Sequence, residues 1–284
     1  MILSPQTPVK IKLIESAGEN ALSWGVTMGD PQNPPVCCLH GFLGSGEDWL
    51  RIAKKLSEQF FCILPDLPGH GMNTSLSLDD PLHFDTLNKG LRTLLDTLGI
   101  QRTHLLGYSL GGRAALYFAI HCPERVASLM LESASAGIVT PDERRARAKE
   151  DDLRAETILV EGVETFVEHW YALPLFRSLT HDPNLRAEII ARRKTNHPDW
   201  IAKVIRELSP GRQPPVWDQL SRLEMPVLLA VGAWDEKYVR FGERMAAQLP
   251  HAQLEIVPDA GHTVHLDQPD RLISILRDFL SLVQ

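Results

Sequence analysis

The chain has 284 residues, 44% hydrophobic and 23% charged, a balance that suits a globular protein with a sizeable buried core. Its formal net charge of −7 supplies no basic face of the kind nucleic acid requires. No apolar run approaches the ~18 residues that cross a bilayer, and the start, MILSPQTPVKIKLIES, shows no basic stretch followed by an apolar one. Neither nucleic acid nor membrane insertion is expected, and a small anionic substrate needs cations clustered locally. Cys37, Cys38, Cys62 and Cys122 form no C-x-x-C pair and join no histidine cluster, so they are read as reduced thiols of a cytoplasmic protein that holds no metal.

Taken in order, VKIKLIES and ALSWGVTMG read as strands, and PPVCCLHGF as a short buried strand closed by Gly41. SGEDWLRIAKKLSEQF is helical, with Ser45 placed to cap it. FCILPDLPGHG is a strand that breaks into a Pro/Gly loop, where Asp66 is read as holding the loop. DTLNKGLRTLLDTLGI is a helix ending at Gly99, RTHLLGYS a strand, LGGRAALYFAIHCP a helix and VASLMLESA a strand. Strands of four to eight apolar residues thus alternate with helices, the signature of an α/β protein with a mostly parallel sheet. The alternation stops near Gly137. DERRARAKEDDLRAETILV, VETFVEHWYALPLF, NLRAEIIARRKTN and DWIAKVIREL are all helical. Alternation resumes with PVLLAVGAWDE, YVRFGERMAAQLP, QLEIVPDAGH and a last helix, PDRLISILRDFLSLV. The organisation expected is a core of residues 1–136 and 215–284 with an all-helical cap of 137–214. The cap sits over the strand ends where open α/β sheets bind ligands.

GYSLG, Gly107 to Gly111, is a G-x-S-x-G pentapeptide between a strand and a helix. A serine at such a turn takes a strained backbone, and the flanking glycines leave room for it. Its hydroxyl stands at the top of the sheet beside a helix N-terminus, whose free N–H groups favour negative charge. Serine is inert at its free pKa and needs a base. Asp235, just past one apolar strand, and His262, just past another, stand in the order this elbow requires. His265 competes with His262; Gly261 suggests a tight loop that presents the earlier ring. The N–H groups of Phe42 and Leu110 are placed to form an oxyanion hole. His40 in LHGF and Tyr108 in GYSLG flank these groups and are read as substrate-binding.

LHGFLGSGEDW, PDLPGHG, GYSLGG, the late aspartate and AGHTVH together resemble the α/β-hydrolase superfamily over nearly the whole chain. GYSLGGR, HWYALPLFRSL, IIARRKTN and AGHTVHLDQP resemble, more narrowly, the 2-succinyl-6-hydroxy-2,4-cyclohexadiene-1-carboxylate synthases of menaquinone and phylloquinone biosynthesis. The resemblance implies an α/β-hydrolase fold and a lyase that needs no cofactor. The lyase eliminates pyruvate from 2-succinyl-5-enolpyruvyl-6-hydroxy-3-cyclohexene-1-carboxylate. It also gives Arg113 a reason. Residues i and i+4 share a helix face and lean toward its N-terminus, so Arg113 leans toward Ser109. Guanidinium binds carboxylate bidentately, and the resemblance implies that Arg113 takes one carboxylate of a substrate that carries several. It points further to Arg147, Trp170 and Arg193 in the cap, with Arg144, Arg145 and Arg192 close enough in sequence to compete. Two alternatives share these residues: a serine hydrolase of a carboxylate-bearing ester or C–C bond, and a non-enzymatic receptor of the same fold. Oligomeric state is not legible.

Overall fold

In the computed structural model, which describes residues 9–12, 24–73 and 76–283, eight strands form one sheet. They are β1 (Val9–Lys12), β2 (Trp24–Met28), β3 (Pro35–Leu39), β4 (Phe61–Pro65), β5 (Thr103–Tyr108), β6 (Val126–Glu132), β7 (Val227–Gly232) and β8 (Ala252–Val257). Their order across the sheet is β1-β2-β4-β3-β5-β6-β7-β8. β2 runs antiparallel to both β1 and β4, and every other neighbouring pair is parallel. The ends of the first two expected strands, residues 13–16 and 21–23, lie outside the described residues, as does the leading segment 1–8.

The central strands carry mostly apolar, buried side chains because both faces of the sheet are covered. Side chains alternate between those faces with a period of two. Cys37, Leu105, Leu129 and Leu229 pack into one core, shared with α2 (Phe84–Thr97), α3 (Leu110–His121) and α8 (Glu236–Ala246). Cys38, Leu106, Met130 and Leu228 pack into the other, against α1 (Leu50–Leu56) and α10 (Pro269–Leu282). All four cysteines are buried and unpaired.

Between β6 and β7 the chain forms α4 (Pro141–Glu161), α5 (Val163–Tyr171), α6 (Pro183–Arg193) and α7 (Pro198–Glu207), with a 3-10 stretch at Pro174–His181. Their apolar residues make a third core around Ile158, Phe166, Ile189 and Ile201, joined by Leu43 from the loop after β3. No helix among the described residues is long and apolar enough to cross a membrane. The segment read as one helix from Ser45 differs in detail. It is a 3-10 turn, Gly46–Trp49, followed by the seven-residue α1, and it ends at Leu56 rather than at Phe60. Asp48 accounts for part of this. Its carboxylate accepts from the Ser45 N–H at 3.2 Å, which tightens the first turn.

Candidate active site

Four loops meet above the C-terminal ends of the parallel strands, and each carries a residue singled out by the sequence. Ser109 follows β5 with φ 50° and ψ −106°, a backbone that non-glycine residues rarely adopt. The neighbouring glycines make that turn possible. A Cβ on Gly107 would fall 2.4 Å from the Gly111 carbonyl oxygen, and one on Gly111 would fall 2.2 Å from that of Leu39. The Ser109 N–H donates to the Glu132 carbonyl at 2.9 Å, which ties the elbow to β6.

His262 Nε2 lies 3.1 Å from Ser109 Oγ, and His262 Nδ1 lies 2.7 Å from Asp235 Oδ2. An ionised carboxylate only accepts, so Nδ1 donates to Asp235 and Nε2 is left to accept from the serine. The imidazole is 2% exposed and is packed by the rings of Tyr108, Phe176 and Tyr238. Asp235 caps the start of α8, where its carboxylate also accepts from the Tyr238 N–H at 3.4 Å.

His265 is engaged elsewhere. Its Nδ1 donates to Glu132 Oε1 at 2.7 Å and its backbone N–H donates to the same oxygen at 3.1 Å. Burial disfavours its charge, yet the Glu132 carboxylate outweighs this and holds its pKa above the ordinary histidine value. The reading of His40 as substrate-binding is corrected. The ring is fully buried, and both nitrogens serve the backbone. Nδ1 donates to the Gly41 carbonyl at 2.7 Å, and Nε2 accepts from the Leu67 N–H at 2.8 Å. Asp66 holds its loop as expected, accepting from the Gly46 and Met72 N–H groups at 2.8 and 2.9 Å.

A cavity of about 130 Å³ opens over Ser109, lined by Phe42, Leu110, Arg113, Arg147, Trp170 and His262 among others. Leu110 is the first residue of α3, so its N–H is one of those a helix leaves without an internal acceptor. Trp170 packs on Phe42 with ring centroids 5.2 Å apart. A side space of about 30 Å³ also touches Ser109, and it is this space that Tyr108 and Arg193 line.

The three arginines differ in how their charge is met. Arg193 Nη2 donates to Asp48 Oδ2 at 2.7 Å and its Nε to the Tyr171 hydroxyl at 3.2 Å. Burial works against that charge, but the adjacent Asp48 carboxylate raises its pKa above the usual value. Arg192 approaches Asp48 only at 3.6 Å. Arg147 Nε donates to Asp151 Oδ2 at 2.8 Å, and Asp151 also accepts from Arg154 and from the Ser209 hydroxyl. Arg145 pairs with Asp142 on the exposed side of α4. Arg113 is 8% exposed, its guanidinium lies over the Phe84 ring, 5.4 Å from the centroid, and among the described residues no carboxylate forms an ion pair with it. Both of its terminal nitrogens donate to the Leu208 carbonyl at 3.1 Å, and Nη1 donates to Gln213 Oε1 at 3.1 Å. Burial pushes its pKa down to about 10.

The sequence reading missed Lys237 and Tyr238, which also line the main cavity. Their signal was present, since they follow Asp235 by two and three residues, in the first turn of α8. It missed Asp151 too, although Arg147 and Asp151 stand at the i,i+4 spacing that pairs side chains on a helix. Among the described residues no group of three or more His, Cys, Asp or Glu is arranged to hold a metal ion.

Residues 34–269 match the family described as the alpha/beta hydrolase fold. A putative 2-succinyl-6-hydroxy-2,4-cyclohexadiene-1-carboxylate synthase of Bacillus subtilis is 37% identical over 259 residues, covering 90% of this chain and 93% of that one. The synthase of the same name from Pectobacterium atrosepticum is 33% identical over 88% of this chain and 95% of its own. Among solved structures, MenH from S. aureus superposes with a TM-score of 0.86 at 33% identity, covering 89% of this chain and 95% of that one.

Proposed function

Because the chain belongs to the α/β-hydrolase fold family, and within it to the 2-succinyl-6-hydroxy-2,4-cyclohexadiene-1-carboxylate synthases, we propose that it eliminates pyruvate from the 5-enolpyruvyl precursor of that product. One observation carries the reading. The cavity that holds Ser109 and His262 is also lined by Arg113, Arg147 and Lys237. An ester hydrolase needs the first pair alone, whereas this substrate carries a ring carboxylate, a succinyl carboxylate and an enolpyruvyl carboxylate.

The chemistry follows from the donor order. Asp235 holds the imidazole so that Nε2 accepts from Ser109. Ser109 Oγ removes the ring C2 proton beside the succinyl ketone as its own proton passes to His262. The developing enolate oxygen is held by the Phe42 and Leu110 N–H groups, and a preorganised donor of this kind contributes ~3 kcal/mol. The enolate collapses to C2=C3, the C3=C4 pair moves to C4=C5, and the C5–O bond breaks. The departing enolpyruvate takes up a proton and becomes pyruvate. Arg113 and Arg147 bind carboxylates with planar forks, and Trp170 closes the apolar wall. No metal or cofactor enters the scheme.

On this reading residues 137–214 act as a cap over a core of 1–136 and 215–284, and the partner is a small polycarboxylate rather than nucleic acid. Four buried free thiols suit a reducing cytoplasm. The test is to supply the enolpyruvyl substrate and couple pyruvate release to lactate dehydrogenase. Steady pyruvate formation supports the synthase. Its absence, with turnover of a carboxylate-bearing ester, favours a serine hydrolase.

A further inference from the structure

Gln213 occupies the position where a buried arginine would be expected to have its counter-ion. It is 1% exposed, and its Oε1 accepts from Arg113 Nη1 at 3.1 Å. Its Nε2 is buried with no acceptor. A glutamate there would give Arg113 an ion pair and leave no amide donor stranded. For stability alone the amide is the poorer choice on both counts. The other buried arginine beside Ser109 shows the usual solution, since Arg193 has Asp48. Asp151, the carboxylate in the wall of the main cavity, is taken up by Arg147, Arg154 and Ser209. The Leu208 carbonyl and the Gln213 amide therefore fix Arg113 in place without neutralising it. The guanidinium has five N–H donors, of which these contacts engage three.

We propose that Gln213 is a specificity-determining positioning residue, whose neutral amide orients Arg113 while keeping its charge free for a substrate carboxylate. This rests on the polycarboxylate reading above. It adds that selectivity resides in the neutrality of a residue behind the cation, at the end of the turn that follows α7.

The test compares Gln213→Glu and Gln213→Met with wild type. Glutamate keeps the size and the acceptor but adds a charge. Methionine keeps the approximate size and adds neither. Succinate binding is followed by titration calorimetry, KM and kcat by the pyruvate assay, and folding by thermal melting. The glutamate variant is expected to melt at or above the wild-type temperature. Its succinate affinity should fall, and its KM rise, at least tenfold, with kcat changed less. The methionine variant should lose less affinity than the glutamate variant. Wild-type affinity in the glutamate variant overturns the proposal, as does an equal loss in both variants or a wild type that binds no succinate. If the glutamate variant fails to fold, a methionine variant with tenfold or greater loss of succinate affinity overturns it. Wild type that binds succinate with this sensitivity but releases no pyruvate would refute the synthase reading and leave the role of Gln213 standing.

Discussion

Arg113 and Arg193 line two different spaces that both touch Ser109, and both are almost wholly buried. Arg193 is matched by Asp48 and the Tyr171 hydroxyl, and Arg113 is held by neutral groups, the Leu208 carbonyl, the Gln213 amide and the Phe84 ring. A buried cation with its own carboxylate is part of the framework. On the proposed function, the one without a counter-ion takes its partner from the ligand, and the contrast divides the surroundings of Ser109 into an Arg193 side that holds its shape and an Arg113 side that binds.

The largest expected effect lies between the two sides. Ser109→Ala and His262→Ala should each lower kcat by roughly 10⁴-fold or more, since residues that act as a unit fail together. Both should still fold, since neither side chain belongs to the apolar cores, although His262→Ala also gives up contacts with the Tyr108, Phe176 and Tyr238 rings. A folded His262→Ala variant with near-normal pyruvate release would remove the assignment.

Next comes the binding side. Arg113→Ala should reduce kcat/KM by about a hundredfold, or about 3 kcal/mol at 1.4 kcal/mol per decade. Arg113→Lys should recover only part of it, because a point charge replaces a planar fork. Unchanged kcat/KM in the alanine variant would erase the distinction between the two arginines.

Arg193→Met tests the other side through stability. Breaking a buried pair costs up to ~3–5 kcal/mol in unfolding free energy, and here the loss should fall at or below the low end, because Arg192 at 3.6 Å still faces Asp48. The pH dependence has a definite sign. Burial opposes the Asp48 charge, but the adjacent Arg193 outweighs it and holds the carboxyl below its usual range. A depressed carboxyl contributes stability that is present above its unfolded pKa of about 4 and is lost as pH falls through the folded value. Without Arg193, burial raises the Asp48 carboxyl in the variant, so the gap between wild type and Arg193→Met in denaturant titrations should shrink as pH falls from the variant's raised value through the depressed wild-type one. A gap that widens on acidification would contradict the pairing. The smallest expected effect is none at all: exhaustive chelation should leave the rate unchanged, and recovery of a lost rate on adding a divalent ion would count against the scheme.

The two sides were not equally legible in the sequence. Ser109, Asp235 and His262 each follow an apolar strand, and short-range pattern places such residues at one edge of a parallel sheet. Arg113 was legible for the same kind of reason, being one helical turn from Ser109. What pattern could not supply was charge balance. Asp48 and Arg193 are separated by 145 positions, and Arg113 and Gln213 by 100. The sequence therefore offered Arg113 by its spacing from Ser109 and Arg193 only by resemblance, and showed the partner of neither. His40 shows the same limit, since its role as a clamp depends on the Leu67 N–H arriving from the loop after β4.

The most direct test of the account is the fate of the ring C2 hydrogen. Substrate carrying deuterium at C2 should release pyruvate with a lower kcat/KM than the protiated compound, and mass spectrometry should find a diene product free of deuterium. Equal kcat/KM for the two substrates, with a product that retains the deuterium, would contradict proton abstraction at the Ser109–His262 pair.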